Sequence, residues 1–397
     1  MKRIYNSIFL DCVLIAISLY TLYFIFHKFS VGKIPFWDFH VHYCSAKNYL
    51  LGNFPYGIDA LKSCLDPNIT LTANYSPGTL ELIKYLGYFN IQNANILWVF
   101  FEIISLLSLF FILKEIFKFD YEWRNILIFF FSFGGTIFIS FISGNLSVIL
   151  YGLISLGIYF LYKNLFNLYY LIILFVSLFK FYYLSFLIIP FYLIGLKSLN
   201  KIFVSILLFV IIQYFFYINN PNLSMAFFDV IQGKYTDVLP VRMLTGSGLY
   251  SLIEKIPWAL QGVTDFDKSF FSLETNLMIW LIVSFVILLS IFYFLNGEKI
   301  KKSNNHFLFC LSFGILSIDL IIPRLVVYDL ILTVPIIFYL LNQINFKRLI
   351  KTNFDLKNIF ILIFFVLFDH HFPFLMVISF LTLFLYSEHY KKNIFVY

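Results

Sequence analysis

Apolar runs recur along nearly the whole chain, at roughly 8–27, 95–113, 126–142, 146–162, 165–179, 181–196, 202–218, 278–295, 306–322, 326–341, 358–369 and 373–386. Runs of this kind leave no polar face to turn toward water, and about 20 residues of helix cross the hydrocarbon of a bilayer. Several runs are shorter. They are expected to gain length from flanking aromatics, or, for the last two, to form one re-entrant pair. None alternates over ten-residue segments as a membrane β-strand does. The expected fold is therefore an all-α polytopic membrane protein of about 10–12 transmembrane helices, organised as one domain over residues 1–397. Charged residues make up only 12% of the chain, about half the ~25% of an average soluble domain.

The basic residues set an orientation. With twelve spans and a cytoplasmic N-terminus, Lys2, Arg3, Lys114, Lys118, Arg124, Lys163, Lys197 and Lys201 fall inside, as do the clusters at 299–302, 347–357 and 391–392. The short outer turns then carry only Lys180 and Arg324, as the positive-inside rule requires. Both termini are expected in the cytoplasm, and the first run reads as an uncleaved span rather than a signal peptide. Two long outer segments, about 28–94 and 219–277, hold most of the non-membrane mass. The net charge of +7 is spread over loops rather than gathered on one face, so it fits orientation in a bilayer and not nucleic-acid binding. No GxxxxGK[ST] motif is present, which argues against an ATP-driven pump.

Under this one topology the polar residues converge on the outer side. Asp38 follows the first span, and Gly144-Asn145 joins the third and fourth. Lys180 joins the fifth and sixth; Asp319, Pro323, Arg324 and Asp329 surround the turn between the ninth and tenth; Asp369, His370 and His371 make the last outer turn. Glu102 lies somewhat deeper on the same side, and only Asp11 lies toward the inner end. A transporter places its polar site near the midplane and gates both faces. Polar groups at one face, beside long loops, suit an enzyme acting on a lipid-linked substrate. A polytopic transporter or lipid flippase is the competing reading. Cys44 and Cys64 share an outer loop and can pair in an oxidising compartment, two separate thiols being the default expectation.

Four stretches carry a family resemblance. "DFHVHYCSAKNYLLGNFPY" supplies Asp38, Phe39, Tyr43, Ala46, Leu51, Gly52, Pro55 and Tyr56. "NYSPGTLELI" supplies Tyr75, Ser76 and Pro77. "SGNLSVILYGLISLGIY" supplies Gly144 and Asn145, and "SLFKFYYLSFLIIPFYL" supplies Lys180. In this order and spacing, over about residues 35–195, they resemble glycosyltransferase family 87, polyprenyl-phosphate-sugar-dependent transferases of the multi-span GT-C type. His42 departs from the pattern, which often has a tyrosine there. The C-terminal half matches only as a succession of spans.

The aromatic bias and short loops suggest a bacterium, and hence its inner membrane. The resemblance implies an inverting hexosyltransferase acting at the outer membrane face. It would move a sugar, with mannose as one candidate, from a polyprenyl-phosphate donor to a hydroxyl of a glycan or lipid-linked acceptor. It assigns Asp38 as general base. The residues agree, since Asp38 is the first carboxylate past the first span, and Phe36, Trp37 and Phe39 are expected to desolvate it. The alternative is that Asp38 caps the amphipathic surface helix that follows it. A leaving lipid phosphate needs cationic donors, for which Lys180 and Arg324 are expected first and Arg242 third; the alternative for Lys180 is snorkelling to the headgroups. Substrate contacts are further expected from His40, Tyr43, Tyr75 and Asn145, the alternative for the tyrosines being an interfacial aromatic belt. Neither His40 with His42 nor Asp369-His370-His371 has a strong ligand spacing, so no metal and no cofactor is expected.

Overall fold

The computed structural model describes residues 2–30, 35–57, 61–62, 64, 73, 75–117, 122–231, 249–250, 253, 273–297, 301, 305–322 and 327–343. Among these the chain is helical, with no strand. The helices are α1 (Lys2–Ser30), α2 (Trp37–Leu50), α3 (Pro77–Ile83), α4 (Ile91–Phe117), α5 (Trp123–Ser143), α6 (Leu146–Tyr162) and α7 (Phe166–Phe179). There follow α8 (Ile188–Ile194), α9 (Leu199–Asn219), α10 (Pro221–Ile231), α11 (Leu273–Leu295), α12 (His306–Ile321) and α13 (Thr333–Gln343). The first ten apolar runs thus coincide with helix, and the runs at 358–369 and 373–386 lie outside the described residues.

Three stretches, Ile91–Phe117, Phe181–Asn219 and Glu274–Leu295, are long and apolar enough to cross a membrane; a fourth is added if bent α5 counts as one span. The bend in α5 is 65° and falls between Ser132 and Gly135, where Gly135 has a φ of 81° that a regular helix does not contain. Two of the long helices also leave apolar side chains uncovered. Phe203, Leu207, Phe215 and Ile218 of α9, and Met278, Ile282, Phe285 and Leu289 of α11, are all exposed. A water-facing helix segregates a polar stripe instead, so this is the surface of a membrane protein. Several buried hydroxyls turn back on their own helices. Ser18 donates to the Leu14 carbonyl, Ser140 to Thr136 and Ser177 to Ile173, which satisfies them where no water is at hand.

Contacts at the two ends show that successive long helices alternate in direction. At one end the Phe36 amide meets the carbonyl of Ile142, the Trp98 indole that of Gly144, and the Trp280 indole that of Ile321. At the other, Arg124 donates to Asp11 at 2.7 Å, Tyr162 packs on Phe307, and Phe117 on Tyr339. Asp11 and Arg124, both expected toward the inner side, therefore meet at the same end.

Helix α2 departs from expectation. It is no surface helix lying on the bundle. Phe39, Val41, His42, Tyr43, Cys44, Ser45, Ala46 and Asn48 are buried, because α3, α4, α5 and the short turn Lys84–Tyr88 all pack on it. It ends as expected, at Gly52 with φ 74°, where the Gly52 and Asn53 amides close back on Tyr49 and Asn48.

Candidate functional site

Asp38 owes its position to a tight junction between α2 and the end of α5. The chain enters α2 through Phe36, which has φ 60° and ψ 31°, a left-handed conformation uncommon outside glycine. Two backbone bonds hold it there, Phe36 N–H to the Ile142 carbonyl at 2.8 Å and His40 N–H to the Phe36 carbonyl at 2.9 Å. Opposite stands Gly144, with φ 68°, where a Cβ would fall 2.6 Å from the Phe39 Cβ and 2.9 Å from the Phe36 ring. Only glycine allows α2 to come this close. The residue before the first turn is Phe36, with no side-chain cap, so Asp38 does not act as an N-cap. It sits within the first turn, where the helix dipole favours a carboxylate, and it is half-buried.

Asn145 holds that carboxylate. Its Nδ2 donates to Asp38 Oδ2 at 2.9 Å, while its Oδ1 accepts the Ser147 amide at 2.9 Å as the N-cap of α6. The cap needs an acceptor and the carboxylate needs a donor, so the amide has one consistent orientation. From Ser147 the network runs on, since the Ser147 hydroxyl accepts from Lys180 Nζ at 2.7 Å. The backbone at Lys180 is extended between α7 and the turn Phe181–Leu187. Its ammonium points inward, 3.8 Å from the Asp329 carboxylate and 5.7 Å from the Tyr182 ring centre, rather than snorkelling outward. Asp329 is almost fully buried; its carboxylate accepts from the Tyr182 hydroxyl at 2.7 Å, and its backbone carbonyl from the Tyr151 hydroxyl at 2.7 Å. Beyond it, the Thr333 hydroxyl donates to buried Asp319.

The Ser76-Pro77 stretch fixes the end of α7 just before Lys180. Ser76 caps α3 by accepting from the Thr79 amide. The Thr79 hydroxyl lies 3.2 Å from the Leu178 carbonyl and 3.0 Å from the Phe179 carbonyl, which a helix end otherwise leaves unsatisfied. Tyr75 lies against His42, tilted, at 4.7 Å between ring centres, and Trp98 stacks on it at 5.2 Å. The His42 imidazole is buried with neither nitrogen hydrogen-bonded. Burial, reinforced by the Lys180 charge, lowers its pKa to about 3, so the ring is neutral at ordinary pH. Burial and then the Asp38 charge hold the Tyr75 phenol well above its usual range. One helical turn beyond Trp98, Glu102 is fully buried with neither oxygen hydrogen-bonded.

Of the residues singled out in the sequence, Asp38, Asn145 and Lys180 thus form one connected network, with Tyr75 beside it. His40 is half-buried next to the Phe39 ring. Tyr43 is turned elsewhere, its hydroxyl donating to the Phe89 carbonyl at 2.9 Å. Arg242, Arg324 and Asp369-His370-His371 lie outside the described residues. Cys44 and Cys64 are joined in a disulfide, their Cα atoms 5.6 Å apart, in place of the two separate thiols expected by default. Ser147, Tyr182 and Trp98 went unnoticed in the sequence. Tyr182 lies within the quoted "SLFKFYYLSFLIIPFYL" stretch, but its hydroxyl gives no local signal; Trp98 lies in an apolar run with nothing to mark it. Among the described residues no three His, Cys, Asp or Glu side chains gather as metal ligands. Comparison with models of known protein families, with curated proteins and with solved structures finds no match.

Proposed function

We propose that the chain is a GT-C type membrane glycosyltransferase, an inverting hexosyltransferase that uses a polyprenyl-phosphate sugar. The observation that carries this reading is the Asp38–Asn145–Ser147–Lys180 network, a carboxylate and an ammonium held in one connected set at one end of an apolar bundle. An acceptor hydroxyl attacks the anomeric carbon from the face opposite the phosphate. The new C–O bond forms as the bond to the phosphate oxygen breaks, and Asp38 takes the hydroxyl proton. The leaving polyprenyl phosphate gains negative charge, which Lys180 is placed to stabilise. Arg324 and Arg242 are proposed as further phosphate contacts, and the His42–Tyr75–Trp98 aromatic group as a wall for the sugar. The site belongs at the outer face of a bacterial plasma membrane. A disulfide in the loop beside it fits an oxidising side, and the lysines at the opposite end fit the cytoplasmic side.

The test is transfer from a panel of labelled polyprenyl-phosphate hexoses to glycan or lipid-linked acceptors by purified protein. Asp38→Asn keeps the size of the side chain and removes the base, so transfer is expected to fall by about 10²–10⁴ with donor binding retained. Full activity in a folded Asp38→Asn protein sinks the assignment of the base. Solute uptake by proteoliposomes, with no transfer from any donor, favours the transporter or flippase reading.

A further inference from the structure

Lys180 and Asp329 face each other across the boundary between the site and the core. The Lys180 side chain is 24% exposed and that of Asp329 only 1%. A ligand that enters from outside therefore reaches the ammonium but not the carboxylate. The carboxylate is fixed from behind, the Tyr182 hydroxyl donating to its Oδ1 at 2.7 Å and the Tyr151 hydroxyl to its backbone carbonyl at 2.7 Å. The turn that carries it, Val327–Leu330, packs on both α5 and α6, the helices joined by Gly144 and Asn145.

The separation of Nζ and Oδ1 decides what the pair does. At 3.8 Å it is too long for a hydrogen bond, yet short enough for strong attraction where water is largely excluded. The carboxylate thus pulls the ammonium inward without spending any of its protons. Among the described residues Lys180 donates one of its three protons, to Ser147, which leaves two for a ligand. A lysine at the outer end of a helix otherwise extends toward the headgroups, away from Ser147. A fixed anion behind and an exposed cation in front, with donors to spare, make a counter-charge that aims the cation at an anion from outside.

We propose that Asp329 is a positioning residue for Lys180, holding its ammonium beside Ser147 to receive the phosphate of the sugar donor. Asp329 itself touches no substrate. The identity of that anion rests on the transferase reading. The proposal also extends the site into the C-terminal half of the chain, where no sequence motif marks it.

The experiment uses full-length protein in detergent. Asp329→Asn keeps an oxygen for the Tyr182 hydroxyl and removes the charge. It is expected to lower kcat/KM for the polyprenyl-phosphate donor about tenfold, with the acceptor KM within about twofold of wild type, because Asp38 and Asn145 are untouched. In a Lys180→Met protein the same substitution is expected to change transfer by less than about twofold, since it acts through the missing ammonium. Two further readouts need no transfer. Lys180→Met leaves a buried carboxylate uncompensated and is expected to lower the unfolding midpoint, and adding Asp329→Asn is expected to raise it again. Lys180, no longer held inward, is expected to be acylated several-fold faster by a water-soluble succinimidyl ester in Asp329→Asn than in wild type, with exposed Lys163 as the internal standard. Additive losses of transfer or stability in the double variant, or Lys180 acylated at the wild-type rate in Asp329→Asn, overturn the proposal. If wild type transfers from no donor while the midpoint rescue and the faster acylation are both seen, the transferase reading falls and Asp329 stands as the residue that holds Lys180.

Discussion

Asn145 donates its side-chain amide to the Asp38 carboxylate at 2.9 Å, across 107 residues of chain. The same side chain caps α6 through its oxygen. Substitution separates the two tasks. Asn145→Asp keeps a capping oxygen, and Asp caps as well as Asn does, but it replaces the donor to Asp38 with a second negative charge. Stability is expected to stay within about 1 kcal/mol of wild type, while sugar transfer drops at least about tenfold, the cost of one charge-assisted hydrogen bond. Asn145→Ala is expected to lose both. Parallel measurement of the unfolding midpoint in detergent and of the transfer rate separates them, and an Asn145→Asp protein with wild-type transfer contradicts the role given to this bond.

Gly144 is the hinge of the α2 junction. An alanine there takes a left-handed backbone, at about 1–2 kcal/mol, and pushes its Cβ to 2.6 Å from the Phe39 Cβ, at about 1–3 kcal/mol more. Gly52 provides the control, since its φ is 74° but nothing lies within 4 Å of a Cβ. Gly144→Ala is expected to destabilise by about 2–5 kcal/mol and to impair transfer by displacing Asp38. Gly52→Ala is expected to cost only the backbone term. Equal midpoints for the two variants count against the close packing.

Periodicity and charge made the helices readable in advance, because a long apolar run in a membrane has essentially one way to satisfy its backbone. They also brought Asp38, Asn145 and Lys180 to one end, since each sits in a connection whose side follows from counting spans. What they left open is which way a side chain points. The Lys180 ammonium turns inward because Ser147 and Asp329 are there to receive it, and Asp329 comes from a segment nearly 150 residues away. The motif around Tyr43 does not reveal its hydroxyl's partner either, which is the Phe89 carbonyl. The sequence of α2 reads as an amphipathic surface helix. Its burial follows from four neighbouring elements that no local pattern reveals.

His42 gives the protein a pH dependence of known sign. Burial lowers its folded pKa to about 3, against about 6.5 in an unfolded chain. Between these values the unfolded chain takes up a proton that the folded imidazole refuses. The contribution of this ring is therefore undiminished above pH 6.5 and declines as the pH drops, by about 1.4 kcal/mol per unit. His42→Phe keeps a ring against Tyr75 and Trp98 but does not titrate. Unfolding measured from pH 7.5 to 5.5 is expected to show a steeper loss for wild type than for His42→Phe, the gap reaching about 1.4 kcal/mol at pH 5.5. Parallel curves for the two proteins rule this out.

The Cys44–Cys64 bond ties α2 to the segment that follows it, with Cys44 fully buried two residues beyond His42. Closing a 20-residue separation removes unfolded-state freedom worth about 3 kcal/mol. Cys12 and Cys310 are free, so thiol titration of the denatured, unreduced protein is expected to count two groups, rising to all four cysteines after reduction. Cys64→Ser is expected to lower stability by about 3 kcal/mol, to match the reduced wild type, and to show no further loss when reductant is added. Because the bond holds the helix that presents Asp38, the same substitution is expected to slow sugar transfer, whereas Cys12→Ser, on α1, is expected to leave it unchanged. Four titratable thiols in the unreduced protein, or a wild-type midpoint indifferent to reductant, means that the helix is held by packing alone.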